Sequence, residues 1–387
     1  MTTDLGSDAA RWLSEQAAAV EEALASLVVV NSFTDNVDGG RQVGEILRRD
    51  VLSIEGLACE VRPSTRYADH LVFSSNGRAG APPLALIGHL DTVFPPGTFE
   101  GYTRDGDLRR GPGVLDMKGG LVVVAWALKA LAQSGGLGAV SPVRLVIVAD
   151  EEVGSPEGRQ VIEGAVAGAD AALVFEAGRK GDAIITRRKG TGGMTATAHG
   201  KAAHAGNNHK EGANAIWALA ELVVKVQALT DHARGVTVNV GKITGGQGKN
   251  TVPDRAEALL DLRFVTRADG DALVLAVERA AEEAARAVPG TRIELTGGIA
   301  RQPLERSVAS AALMTAYGAC ARASGLGDAE AGLIGGGSDA STSSAIGIAS
   351  IDGLGPRGVG FHTRDEQIEV ATLILKAQAL ARFLAAR

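Results

Sequence analysis

At 387 residues, with 45% hydrophobic and 22% charged side chains, the sequence describes a globular protein with enough chain for about two or three domains. A formal charge of -6 and a pI near 5.7 give no general electrostatic attraction to nucleic acid or an anionic membrane, and the longest apolar runs fall short of a membrane span. Cys59 and Cys320 are the only cysteines and form no CxxC pair, which argues against a disulfide framework or a thiolate metal site and fits a reducing, cytoplasmic setting; residues 1–11, with Asp4 and Asp8, lack a secretory apolar core.

In chain order, 9–30 carries Trp12, Leu13, Val20, Leu24 and Leu27 at helical spacing and predicts an amphipathic helix. A second helix is predicted at 37–54, with Val43, Ile46, Leu47 and Val51 on one face. Segments 59–62 and 70–73 alternate as strands do. The apolar run 84–87 then ends abruptly in Gly88-His89-Leu90-Asp91-Thr92. Next, 111–120 sets four glycines and Pro112 around a single acid, Asp116, which predicts an irregular, closely packed loop ahead of a helix at 119–133. A strand at 143–149 runs into Asp150-Glu151-Glu152, and one at 171–175 runs into Glu176. Between them lies a helix at 156–167, with Ser155 as its expected N-cap and Pro156 at its first position. Alternating strands and helices imply an α/β sheet with parallel members, and such sheets bind ligands beyond the carboxyl ends of their strands. His89, Glu151, Glu152 and Glu176 would meet there.

From 184 the pattern changes. Strands near 194–198, 236–243, 257–265 and 291–296, with helices at 212–229 and 269–287, follow the order β-α-β-β-α-β of a ferredoxin-like unit. We therefore read 184–297 as an inserted α+β domain, with 1–183 and 298–387 as two parts of one α/β domain. The second part holds a helix at 304–324, the loop Gly335-Gly336-Gly337-Ser338-Asp339, a strand at 348–351 and a helix at 367–386. There is no internal repeat.

Taken one at a time, these polar residues have plain structural readings: a histidine at a strand end, a charged loop, a surface arginine. Their combination asks for more. His89 and Asp91, one residue apart, would share a direction in extended chain, so Asp91 would fix the second nitrogen of a ligating His89. Adjacent Glu151 and Glu152 repel unless a cation or a proton intervenes. One carboxylate shared between two cations, with one histidine and one acid for each, would use Asp116, His89, Glu176, Glu152 and His362. Oxygen and nitrogen donors without sulfur suit Zn²⁺, with Co²⁺ or Mn²⁺ as alternatives.

The set of motifs resembles the M20 family of di-zinc metallopeptidases, and within it the glutamate carboxypeptidase branch. The matching stretches are Gly88–Pro95, Gly111–Gly120, Asp150–Ser155, Phe175-Glu176, Gly200-Lys201-Ala202-Ala203-His204-Ala205-Gly206 and Gly360-Phe361-His362, in family order across nearly the whole chain. The resemblance implies a zinc exopeptidase-like fold: a mixed, largely parallel sheet flanked by helices, with the insertion as a lid and dimerisation domain. It implies two zinc ions per subunit, Asp116 bridging them, His89 and Glu176 completing one site and Glu152 and His362 the other. Glu151 would be the general base and Asp91 the support of His89. A peptide bond in the cis form is expected between Asp116 and Met117.

On the substrate side the resemblance implies that His204 holds the scissile carbonyl from the partner subunit, and that Asn250 and Arg263 hold the substrate carboxylate. Gly336, in the triple-glycine loop, would line the pocket. A glutamate rather than an aspartate at position 176 points to a carboxypeptidase that releases a C-terminal, glutamate-like residue from a small peptide or N-acyl amino acid. An aminoacylase-type amidohydrolase is the nearest alternative, and a non-catalytic binding protein on the same fold is another. Nucleotide binding is disfavoured because no GK[ST] follows the glycines. A homodimer through 184–297 is expected, with no nucleic acid and no membrane as partner.

Overall fold

The structure, a computed structural model, describes residues 4–387. The chain forms two compact units: one contains the residues up to Arg187 together with Arg306–Leu333 and Ser338–Arg387, the other Arg188–Glu305 with Ile334–Gly337. Among the described residues, no helix is long and apolar enough to cross a membrane.

The first unit is built on a six-stranded mixed sheet in the order Leu57–Arg62, His70–Ser75, Val143–Val148, Leu84–His89, Ala171–Val174, Ala349–Ile351. The last four strands run parallel, and the first two are added antiparallel at one edge. Leu84–His89 and Ala171–Val174 are buried at every position, as expected of strands covered on both faces. Helix Lys118–Ser134 lies in the core for most of its length and is apolar nearly all round. Its start is pressed against other backbone: a Cβ on Gly119 would stand 2.2 Å from the Val114 carbonyl oxygen, and one on Gly120 2.0 Å from that of Phe175. Only glycine permits that approach. It ties the helix start to the loop carrying Asp116 and to the strand end carrying Glu176.

The second unit has the order Gly190–His199, Ala215–Gln227, Thr237–Gly245, Arg255–Phe264, Arg267–Ala287, Arg292–Arg301, which is β-α-β-β-α-β. Its four main strands are antiparallel, with Arg255–Phe264 and Gly190–His199 in the centre and Thr237–Gly245 on one edge. Burial alternates along the central strands, and Leu219, Leu222, Leu273 and Val277 of the two helices share a core with Ala196 and Leu260. The ferredoxin-like expectation describes this unit.

Four local expectations change. The first helix is split into Leu5–Ser14 and Ala17–Val28 at Gln16 (φ -104°, ψ 9°), a break that spacing cannot reveal because the apolar register continues across it. The second ends as Val37–Ile46 and continues as a wider π turn, Leu47–Val51. The expected helix at 156–167 is Gly158–Val166, and Ser155 is not its cap. Ser155 has φ 54° and donates its hydroxyl to Asp339 at 2.7 Å, while Asp150 Oδ2 accepts from the Glu157 and Gly158 N–H groups at 2.8 and 3.0 Å. The last helix is Ala371–Ala385, because Gln367–Glu369 instead forms a strand in a small sheet with Gly358–Val359, Leu108–Arg110 and Thr103–Asp105. Strands of two or three residues are too short to show alternation.

Candidate metal centre

Three neighbouring parallel strands, Val143–Val148, Leu84–His89 and Ala171–Val174, end on the same side of the sheet. The first leads to Glu151 and Glu152 on a single 3₁₀ turn, the second ends in His89, and the third gives way to Glu176. The glycine-rich loop brings Asp116 to the same place, with its bond to Met117 cis, as expected. His362 arrives from the segment after Gly358–Val359 in a left-handed conformation (φ 61°), following Gly360 at φ 82°.

The geometry divides around Asp116. Its Oδ1 lies 3.4 Å from His89 Nε2, which is 3.7 Å from Glu176 Oε1; its Oδ2 lies 3.3 Å from His362 Nε2, which is 3.1 Å from Glu152 Oε2. One carboxylate thus presents each oxygen to a separate imidazole and acid. Donor atoms of His89, Asp116 and Glu152 lie within 4.8 Å of one another, and so do those of His89, Glu151 and Glu176. The five expected ligands and Glu151 are therefore gathered in one place.

Two observations fit cations to this cluster. His89 Nε2 and Asp116 Oδ1 are buried and have no hydrogen-bond partner among the described residues, a costly state for polar atoms that a metal would relieve. The charges also ask for it. Burial, and then the Asp116 carboxylate, push the Glu176 carboxyl up to about 7; burial does the same in direction to Glu152. Asp116, followed by Glu152, raises His362 to about 10. For His89, burial alone would disfavour the charged imidazole, but Asp116, Asp91 and Glu176 outweigh it and hold the group well above its ordinary range. The acids thus keep protons on the two imidazoles, and positive charge is what the site lacks.

Supporting contacts fix the ligands. His89 Nδ1 is 3.0 Å from the Asp91 carbonyl oxygen and 3.4 Å from its Oδ1, so the support comes from the main chain as well as the side chain. The Asp91 carboxylate does more than predicted. Its Oδ1 accepts from the Glu151 N–H at 3.1 Å, and its Oδ2 from the Glu152 N–H at 3.2 Å and the Thr34 hydroxyl at 2.8 Å. One buried acid therefore links His89 to the turn that carries both glutamates.

Sequence reasoning missed Glu366. It is fully buried, and its two oxygens accept from the N–H groups of Gly113 (3.2 Å), Leu115 (2.8 Å) and Asp116 (3.0 Å), shaping the loop that presents Asp116. Lys118 was also missed. It is buried, with Nζ bonded to the carbonyls of Leu27 and Val30 at 3.0 and 2.9 Å, and burial lowers it to about 7. Its lone positive charge beside Gly and hydrophobic residues gave no signal, and Glu366 is one of several acids after His362, of which Asp365 is exposed.

The expected substrate residues lie in the second unit. His204, in a two-residue strand, pairs with Thr251, and the Ala205 N–H donates to the Asn250 carbonyl at 2.9 Å, so His204 and Asn250 are neighbours. His204 Nδ1 accepts from the N–H groups of Gly206 and Asn207, both at 3.1 Å, which leaves Nε2 as the proton-bearing donor of the neutral ring. Arg263 is one-third exposed, and its guanidinium makes a bidentate contact with Asp261 at 2.8 Å for each bond. Gly336 offers its carbonyl to the buried Arg188 at 3.2 Å.

Comparison with known proteins agrees with this architecture. A family model described as a peptidase dimerisation domain matches residues 186–289. Carboxypeptidase G2 of Pseudomonas sp. (strain RS-16) is 27% identical over 380 residues, covering 96% of this chain and 90% of that protein. Aminopeptidase PepT of Bacillus cereus ATCC 10987 has a similar structure, with a TM-score of 0.81 at 20% identity over 95% of this chain and 98% of its own. An M20 family metallo-carboxypeptidase of Sulfolobus solfataricus, Sso-CP2, has a TM-score of 0.70 at 18% identity over the same two shares, 95% and 98%. These structural likenesses establish the fold.

Proposed function

This chain belongs to the M20 family of metallopeptidases and is a hydrolase, and from that premise we propose that it cleaves the amide bond before a C-terminal, glutamate-like residue of a small peptide or N-acyl amino acid. The observation that carries this reading is the division at Asp116, one oxygen toward His89 and Glu176, the other toward Glu152 and His362. We assign these five residues as ligands of two Zn²⁺ ions, with Co²⁺ or Mn²⁺ as substitutes. Bound by these residues, the ions would supply the Lewis acidity that makes a water more acidic and a carbonyl more electrophilic. Glu151, held on its turn by Asp91, takes the proton of the attacking water and hands it to the leaving nitrogen. His204, reaching the site from the partner subunit, would donate through Nε2 to the carbonyl oxygen as it gains charge. Asn250, Arg263 and Gly336 serve recognition of the substrate carboxylate and its surroundings; for Arg263 this requires exchanging Asp261 for the substrate, both being bidentate carboxylate contacts.

The test is hydrolysis of N-acyl and dipeptide substrates that differ only in the C-terminal residue, using protein reconstituted with zinc. A C-terminal glutamate is expected to give a kcat/KM at least about tenfold above alanine or lysine, a difference of about 1.4 kcal/mol in the transition state. Equal rates on substrates whose C-terminal carboxylate is amidated would overturn carboxypeptidase action and favour another amidohydrolase.

We further propose that the chain is a homodimer through its second unit. Trp217 and Val224 on helix Ala215–Gln227 are 54% and 72% exposed, Ile243 on the edge strand Thr237–Gly245 is 53% exposed, and all three lie within the region matched by the dimerisation model. Sedimentation at micromolar concentration is expected to give a dimer that Val224→Asp converts to monomer. A wild-type monomer would refute it.

A further inference from the structure

Ser155 is one of three residues other than glycine with a left-handed backbone among the described residues, and another of the three is His362. At φ 54° a glycine would sit without strain, so the backbone alone gives no reason for a serine. The side chain gives one. It is buried, and its hydroxyl donates to Asp339 Oδ1 at 2.7 Å, 184 positions later in the chain. Asp339 is buried too, at the start of helix Ala340–Ala345, which packs against helix Gly158–Val166. Its neighbour Ser338 donates to Asp352 Oδ2 at 2.5 Å, and just beyond Asp352 the Gly355 N–H donates to the Glu176 carbonyl at 2.9 Å. Ser155 also closes the turn that carries Glu151 and Glu152: its N–H donates to the Asp150 carbonyl at 2.8 Å, outside the bond from the Gly154 N–H to the Glu151 carbonyl, also 2.8 Å.

We infer that the hydrogen bond from Ser155 to Asp339 is a positioning contact for the metal centre: it fixes the tilt of the 150–155 turn, so that Glu152 faces His362 while Glu151 stays on the side of His89 and Glu176. The inference rests on the ligand and base roles proposed above. Asp91 grips the turn at its entry, through the adjacent N–H groups of Glu151 and Glu152 at 3.1 and 3.2 Å. Two neighbouring bonds to one carboxylate hold a place but leave the turn free to rock about them. A second anchor, away from the first, removes that freedom. Val153 cannot supply it, being 52% exposed, and Gly154, at φ 94°, has no side chain. The task falls to Ser155, whose bond to a carboxylate is charge-assisted and shielded from water. Asp91 and Asp339 thus clamp the two ends of the same turn.

The experiment compares full-length, zinc-loaded wild type with Ser155→Gly, which suits the left-handed backbone and removes only the hydroxymethyl group. Its first readout is the rate at which zinc passes to an excess of a chromogenic chelator, which needs no substrate; its second is kcat and KM for an N-acyl glutamate with zinc in excess. Ser155→Gly is expected to release one zinc equivalent at least about tenfold faster and to lower kcat at least about tenfold, with KM within about twofold of wild type. In an Asp339→Ala background the same substitution should change zinc release by less than about twofold, because the bond is already gone. Asp339→Asn still offers an oxygen to the hydroxyl and should release zinc more slowly than Asp339→Ala. Zinc release from Ser155→Gly at the wild-type rate overturns the inference. So does a loss confined to KM, a Ser155→Gly effect of full size in the Asp339→Ala background, or equal release from Asp339→Asn and Asp339→Ala. A wild type that holds zinc but hydrolyses no substrate would instead sink the function proposed above, while zinc release still decides the role of the contact.

Discussion

Asp116→Asn is expected to retain at most one metal equivalent per subunit after dialysis and to lose at least about 10³-fold in kcat/KM, several kcal/mol of transition-state stabilisation. Each Asp116 oxygen serves a different imidazole and acid, so an amide, with one oxygen and one nitrogen that bears hydrogens, can satisfy one side only. The loop itself should persist, because Glu366 holds it through the N–H groups of residues 113, 115 and 116 and not through the Asp116 side chain. A second sign separates this from general damage. Without metal, and against the effect of burial, the Asp116 carboxylate is held charged by the His362 and His89 imidazoles, so the metal-free variant should melt below metal-free wild type, and the rise in melting temperature that zinc adds should be smaller in the variant than in wild type. Metal content by elemental analysis and paired melts with and without zinc provide the check. Two firmly held equivalents with wild-type turnover would remove Asp116 from the bridging position.

The parts of this site that were legible in the sequence are those where chemistry interrupts a regular pattern. His89 and Glu176 each close a run of apolar residues, and a polar group at the end of a buried strand stands out against it. Asp116 is the one acid among four glycines and a proline. The supports are harder to see, because their role depends on which backbone groups lie opposite them after folding. Glu366 reaches three N–H groups about 250 positions earlier in the chain, and Asp91 serves the turn at Glu151 and Glu152 about 60 positions later. No local spacing encodes such a pairing. Ser155 shows the converse: its residue type suits an N-cap, but Asp150 already accepts from the first N–H groups of that helix, so the hydroxyl goes to Asp339. Helix propensity and capping rules describe what a segment can do alone, and at a site assembled from several strand ends the long-range partner decides.

Glu151→Gln is expected to keep both metal equivalents and lose about 10²–10⁴-fold in kcat, with KM changed little, the mark of a group needed for proton transfer and not for binding. Glu151 and Glu152 sit side by side on one 3₁₀ turn, where successive side chains point about a third of a turn apart. Glu152 faces His362 at 3.1 Å, which leaves Glu151 on the side of His89 and Glu176. Asp91 clamps both N–H groups of the turn, so the two directions are fixed by the main chain and should survive the loss of either carboxylate. The same geometry offers Glu151 a rival role, because its oxygen could join His89 and Glu176 as a ligand. Metal stoichiometry decides between the two: a base leaves it at two, whereas a ligand takes an equivalent with it. The pH profile adds an independent reading, since a base must be ionised to act, and its removal should abolish the acid limb of kcat/KM in whatever activity remains. An unchanged acid limb, together with full metal occupancy and near wild-type kcat, would transfer the proton to another group of the centre.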